Sequence, residues 1–137
     1  MSIQVVVDSC VAYKWYYRND EPGVDAAEEL LADQLAGRVV LAAPTTLPIE
    51  LANALRYSKL PTAQVTEIID LIDAVRIQLF HVTTGSLKKA AELALAHNLT
   101  VYDAVFLELA RELRCPLITS DRRAFGDIDG GVEIRFI

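Results

Sequence analysis

The chain has 137 residues, 53% hydrophobic and 23% charged, with 13 Lys+Arg against 19 Asp+Glu and a formal net charge of −6. That length suits one domain spanning 1–137 with a single core, and the composition supplies apolar material for that core and charge for solubility. No apolar run nears the ~20 residues of a membrane span, and the acidic balance argues against tight non-specific nucleic-acid binding, which cations drive.

The N-terminus runs directly into a strand, residues 3–7 (IQVVV), with no basic segment ahead of it, so no signal peptide is read. Its unbroken apolar character marks burial on both faces. Residues 9–17 (SCVAYKWYY) form a helix. One helix face cannot hide all of Tyr13, Trp15, Tyr16 and Tyr17, so some of these rings reach the surface to stack bases or anchor a partner, and at least two pack in the core. Residues 19–23 (NDEPG) make a turn. A helix over 24–36 ends at Gly37, and a second strand covers 39–42. A helix over 46–59 tolerates Pro48 in its first turn. Pro61-Thr62 breaks the chain, and Thr62 caps a helix from 63 to about 76 with an apolar stripe of Val65, Ile68, Ile69 and Ile72. A third strand at 78–82, helices at 86–97 and about 101–113, and strands at 116–119 and 133–137 complete the pattern. Strand–helix alternation implies an α/β fold, a twisted parallel sheet with helices on both faces. Cys10 and Cys115 are too few for a disulfide framework and lack metal-ligand spacing, which fits a reducing cytoplasm.

Open parallel sheets carry their active crevice outside the carboxyl ends of the strands, and four acids fall at that edge. Asp8 follows the first strand (VVVDS) and Asp121 the fourth (LITSD), while Glu50 and Asp103 (TVYDA) stand in the first turns of their helices. Hard cations such as Mg²⁺ and Mn²⁺ prefer oxygen ligands and take one or two carboxylates directly. Carboxylates crowded together without a cation repel one another; around one or two cations they can activate a water and hold a phosphate in line for attack. Each acid also has a plain structural role open to it. Asp8 can cap the helix at Ser9, Asp121 can cap a turn at 122–125, Thr100 and Asp103 have capping-box spacing, and Glu50 sits at the favourable end of a helix dipole. Convergence of all four on one edge is what singles out a metal site.

The segments VVVDS, LPIELANAL, LTVYDAVFLELA and LITSDRRAF, in this order and spacing, resemble the PIN-domain family, and within it the small VapC-type toxins of toxin–antitoxin pairs. The resemblance spans nearly the whole chain. It implies a Mg²⁺- or Mn²⁺-dependent endoribonuclease in which Asp8, Glu50, Asp103 and Asp121 are the acidic quartet, Thr119 is the family's hydroxyl residue, and Ser9 is its small polar neighbour. On this reading Asp8, Asp103 and Asp121 bind metal directly or through water, Glu50 completes the site, and in-line hydrolysis leaves a 5′-phosphate and a 3′-hydroxyl. The resemblance further implies a cognate antitoxin whose C-terminal segment lies in a groove near the site, and a homodimer. The apolar stripe of the helical pair at 46–76, longer than one small core needs, is compatible with both. An antitoxin Arg entering the acidic site is electrostatically sensible.

Arg122, Arg123 and Lys14 are the candidate contacts to the RNA backbone, although Arg122–Arg123 also reads as a solvated turn. Asp127 and Asp129 read as loop acids, His81 and His97 as structural, and Cys10 as a small buried hydrophobe. A phosphoacceptor receiver module would need an acidic pair after the first strand and an Asp after the third, and the third (QLFHVTTG) has none. A dinucleotide enzyme would need a G-x-G-x-x-G, which is missing. The alternatives left are a catalytically silent binding module that keeps the fold, separable by metal titration, and a DNA nuclease built on the same site.

Overall fold

Val5, Val6 and Val7 are all buried. Successive strand residues point to opposite faces, so the strand that carries them must be covered on both sides. In the computed structural model, which describes residues 2–17 and 21–137, that strand is β1 (Ile3–Val7), at the centre of a parallel sheet. The order is β3-β2-β1-β4-β5, with β2 at Val39–Pro44, β3 at Gln78–Phe80, β4 at Leu117–Thr119 and β5 at Ile134–Phe136. All four neighbouring pairs are parallel, β1 pairing Val5 with Leu41 and Val7 with Ile118. The flanking helices are α1 (Ser9–Tyr16), α2 (Val24–Leu35), α3 (Leu47–Arg56), α4 (Thr62–Ile72), α5 (Thr84–His97), α6 (Val101–Leu113) and α7 (Arg122–Phe125). The expected α/β sandwich is the fold observed. No single described helix is long and apolar enough to cross a membrane.

The core joins β1 and β2 to the inner faces of the helices. Leu47, Leu51 and Leu55 recur at four-residue spacing along α3 and are at most 1% exposed. α6 is the most deeply packed helix, with every residue from Ala104 to Ala110 buried. Gln34 stitches α2 to the sheet, its side chain accepting the Leu41 amide at 2.8 Å and donating to the Val75 carbonyl at 2.9 Å.

Several boundaries differ from expectation, each for a local reason. The second strand runs two residues further, to Pro44, and the third stops at Phe80. The helix expected over 46–59 ends at Arg56 because the Ser58 hydroxyl donates to the Leu55 carbonyl at 2.6 Å and Lys59 turns left-handed at φ 66°. The helix expected to reach 76 stops at Ile72, tightens into a 3₁₀ turn over Asp73–Val75, and is closed by left-handed Arg76. α5 begins two residues early because Thr83 and Ser86 cap it reciprocally, Ser doing what Glu or Gln usually does. In the apolar stripe of α4, Ile68 and Ile72 are buried, Val65 is half-buried and Ile69 is 37% exposed. Of the turn expected at 19–23, residues 19 and 20 lie outside the described residues.

Candidate active site

β1 and β4 end side by side, and their ends bring the first acids and the hydroxyl together. The Asp8 amide donates to the Ile118 carbonyl at 3.0 Å, continuing the ladder one residue past β1. That places the Asp8 carboxylate against the buried side chain of Thr119, whose hydroxyl donates to Asp8 Oδ2 at 2.7 Å. The Thr119 hydroxyl oxygen in turn accepts the Asp121 amide at 3.0 Å. One hydroxyl therefore orients Asp8 and the backbone of Asp121 together. Glu50 reaches the group from α3, where the Ser9 hydroxyl donates to its Oε1 at 3.4 Å.

The helix-capping roles are present as well. Asp8 is the N-cap of α1, with Oδ1 accepting the Ser9 amide at 2.8 Å. Asp121 is the N-cap of α7, with Oδ1 accepting the Ala124 amide at 3.0 Å. Thr100 caps α6 by accepting the Asp103 amide at 3.1 Å, which fixes that acid in the first turn. Capping occupies Oδ1 of Asp121 but leaves Oδ2 without a hydrogen-bond partner among the described residues.

Electrostatics couple the acids. Burial pushes Asp8 up to about 6, opposed by the Thr119 hydrogen bond and reinforced by the charge of Asp103. Burial pushes Glu50 up to about 7, with the charges of Asp8 and Asp103 adding to it. Asp103 is raised by burial and by the charge of Asp121. Asp8, Glu50 and Asp103 thus each feel at least one neighbouring carboxylate as a like charge. Glu50 Oε2 is buried with no hydrogen-bond partner, and so is Thr46 Oγ1, one turn back on the same helix. The Thr46 hydroxyl eases the charge on Glu50 without completing a hydrogen bond to it. The i, i+4 spacing of Thr46 and Glu50 was the sequence signal for this pairing.

A cleft of about 390 Å³ opens beside these groups, lined by Ser9, Tyr13, Lys14, Glu50 and Asp121 among others. The oxygen-rich donor set and the orphaned Glu50 oxygen suit a hard divalent cation. Among the described residues, no three His, Cys, Asp or Glu side chains converge closely enough to hold a metal ion as they stand. Mg²⁺ commonly keeps several waters and takes only one or two carboxylates, so such a spacing is compatible with a largely hydrated ion.

The cationic candidates are differently placed. Lys14, a candidate contact to the RNA backbone, is 5% exposed and its ammonium pairs with Glu21 at 2.8 Å. Arg122 and Arg123 are exposed on α7, with the Arg122 guanidinium 4.7 Å above the Phe136 ring. Of the α1 rings, Trp15 is buried and donates to the Ala27 carbonyl at 2.8 Å. Tyr13, Tyr16 and Tyr17 are half-buried, with Tyr13 and Tyr16 packed against the core. Cys10 is more than a small hydrophobe. Its sulfur accepts the Ser120 amide at 3.4 Å and lies 3.5 Å from the Thr119 hydroxyl, and burial followed by the charge of Asp8 pushes the thiol up to about 11. His81 and His97 lie outside the group.

A family model described as PIN domain matches residues 5–131. No match was found among curated proteins. Several solved structures share the fold. VapBC2 from Rickettsia felis, bound to a DNA fragment from its promoter, aligns at TM-score 0.71 and 14% identity over 98% of this chain and 99% of that one. VapC20 of Mycobacterium tuberculosis, a sarcin-ricin loop cleaving toxin, aligns at 0.68 and 16% identity over 90% and 96%. A toxin–antitoxin complex from Klebsiella pneumoniae aligns at 0.67 and 17% identity over 92% and 93%.

Proposed function

Because the chain belongs to the PIN-domain family, we propose that it is a Mg²⁺- or Mn²⁺-dependent endoribonuclease acting in the cytoplasm as the toxin of a toxin–antitoxin pair. The observation that carries this reading is Glu50, with one carboxylate oxygen buried and unpartnered beside the like charges of Asp8 and Asp103. A buried, unpaired carboxylate among other carboxylates is costly unless a cation or a proton compensates it.

Asp8, Asp103 and Asp121 would hold the ion, directly or through water, with Glu50 completing the site. A bound divalent ion supplies Lewis acidity, lowering the pKa of water and stabilising charge on a phosphoryl group. The chain's own residues do the positioning. Thr119 holds the Asp8 carboxylate and the Asp121 backbone with one hydroxyl. Ser9 aligns Glu50, whose pKa near 7 suits a group that gives or takes a proton at neutral pH. Arg122 and Arg123, both exposed, would meet phosphates outside the acidic group. VapC20 is described as a sarcin-ricin loop cleaving toxin and the Klebsiella pneumoniae structure as a toxin–antitoxin complex; that likeness supports RNA as substrate and an antitoxin as partner, and a homodimer is proposed from the family resemblance alone.

The test is cleavage of a labelled single-stranded RNA panel by antitoxin-free protein, with Mg²⁺, Mn²⁺ or EDTA, comparing the wild type with Asp8→Asn and Asp121→Asn. Metal-dependent cutting lost in both variants is the expected result, and undiminished cutting by both would sink the assignment. A DNA panel of matched sequence separates a DNA nuclease on the same site. The capping bonds of Asp8 and Asp121 favour a second reading, a silent module in which these acids only build helices. That reading predicts no cutting and no stabilisation by millimolar Mg²⁺ or Mn²⁺.

A further inference from the structure

We propose that Glu21 is a built-in competitor for the phosphate that Lys14 is placed to bind in the cleft between α1 and α3, so that this one ion pair sets which single-stranded nucleic acids the cleft accepts. The proposal rests on the nuclease reading. Both residues line the same 390 Å³ cleft as Ser9, Glu50 and Asp121. Among the described residues lining it, Lys14 is the only cation.

A lone ammonium cannot remain charged where its side chain is only 7% exposed unless an anion compensates it. Glu21 supplies that anion at 2.8 Å. The two partners are held very differently. Lys14 lies in the last turn of α1 and is buried. Glu21 keeps 35% of its side chain in water. If the pair is opened, Lys14 must stay and Glu21 can leave, regaining hydration as it goes. An ammonium carries three donors, and the Lys14 ammonium makes one hydrogen bond among the described residues. Its position on the cleft wall offers the others to a ligand there.

What replaces Glu21 must carry one negative charge and present oxygens, and it must lie beside carboxylates that repel it. A phosphodiester has both properties. It can tolerate the carboxylates only if it gains Lys14 and the other contacts of a longer strand. Exchange of one carboxylate for one phosphate is nearly neutral in Coulomb terms, so an isolated phosphate gains little and a strand with further contacts gains most. Glu21 therefore discriminates against short or poorly seated strands.

Fluorescence anisotropy of a labelled single-stranded RNA in EDTA, beside the deoxy form of the same sequence, tests this without turnover. Glu21→Gln keeps an acceptor for Lys14 but removes the charge. It should tighten binding about two- to fivefold, the scale of one partly exposed ion pair, and lower KM more than it changes kcat when cleavage is followed with Mn²⁺. In a Lys14→Met background the gain should vanish. If that background does not fold, Glu21→Asp, with a shorter reach, should give a smaller gain in the same direction. A gain shared by the ribo and deoxy strands is expected, since the phosphate is the recognised group. A gain confined to RNA, or an unmoved Kd in a Glu21→Gln chain that melts like the wild type, overturns the role of Glu21 while leaving cleavage by the wild type intact. A wild type that neither binds nor cuts any strand overturns the nuclease reading itself.

Discussion

Thr119 and Asp8, 111 residues apart in the chain, share a 2.7 Å hydrogen bond at the adjoining ends of β4 and β1. The Thr119 side chain is fully buried and its oxygen also accepts the Asp121 amide. The hydroxyl makes its short bond to Asp8, with the Cys10 sulfur 3.5 Å away. This bond opposes the burial that pushes Asp8 up to about 6.

Thr119→Val keeps the shape and removes that donor. One oxygen of a buried carboxylate then loses its partner, at a cost of about 1–3 kcal/mol, and Asp8 should titrate higher still. The expected outcome is a lower urea midpoint and cleavage at pH 7 reduced more than tenfold, with Thr119→Ser recovering most of both. A valine variant that cuts at the wild-type rate would remove Thr119 from the site.

Asp8 and Glu50 make stability depend on pH in a set direction. Their folded values of about 6 and about 7 lie above the ordinary 3.8 and 4.5. Between those values the folded chain binds more protons than the unfolded one, so stability falls as pH rises from about 4 to about 7. In EDTA, thermal melting should show a Tm several degrees lower at pH 8 than at pH 5, and Asp8→Asn should flatten that slope. Millimolar Mn²⁺ should raise Tm at pH 8, where the carboxylates are ionised, and do little at pH 5. A metal-free Tm that climbs between pH 5 and pH 8 would contradict the coupled acids.

The parallel sheet and the edge that gathers the acids were legible because they depend on signals confined to short segments. IQVVV is apolar at every position, and each acid directly follows a strand or opens a helix. What was not legible depends on contacts between distant or unremarkable residues. Lys14 among aromatics reads as the polar face of an amphipathic helix. Only the fold places it at 5% exposure against a Glu seven residues on. The Ser9–Glu50 bond spans 41 residues and joins two side chains with no shared motif. Helix ends were misplaced where a serine hydroxyl or a left-handed Lys or Arg did the work of the usual Gly or Glu. The quartet carries the opposite lesson. Asp8 and Asp121 both cap helices and both belong to the proposed site, and sequence pattern could not choose between two roles open to the same side chain.

Trp15 anchors the helix that carries Ser9, Cys10 and Lys14. It is the only tryptophan, it is 4% exposed, and its indole donates to the Ala27 carbonyl at 2.8 Å. Trp15→Phe should cost about 1–3 kcal/mol through the lost indole hydrogen bond and the smaller ring. Guanidinium unfolding followed by far-UV circular dichroism measures this, since the variant loses the fluorophore. Cleavage should fall with the folded fraction alone. A larger fall at full folding would mean that α1 shifts and takes Ser9 with it.

Arg122 and Arg123 are adjacent, yet the structure separates their roles. The Arg122 guanidinium lies over Phe136 and ties α7 to β5, whereas Arg123 is exposed. Arg122→Ala should lower stability by about 0.5–1 kcal/mol, the worth of an exposed cation–π contact. Arg123→Ala should leave stability within about 0.5 kcal/mol. If each meets one phosphate of a single strand, either substitution should flatten the slope of log K against log salt by about 0.7, and the pair by about twice that. A double variant with an unchanged slope returns both to a solvated turn. A slope changed by Arg123→Ala alone would mean that Arg122 stays on Phe136 when RNA binds, leaving Arg123 as the phosphate contact at this end of the site.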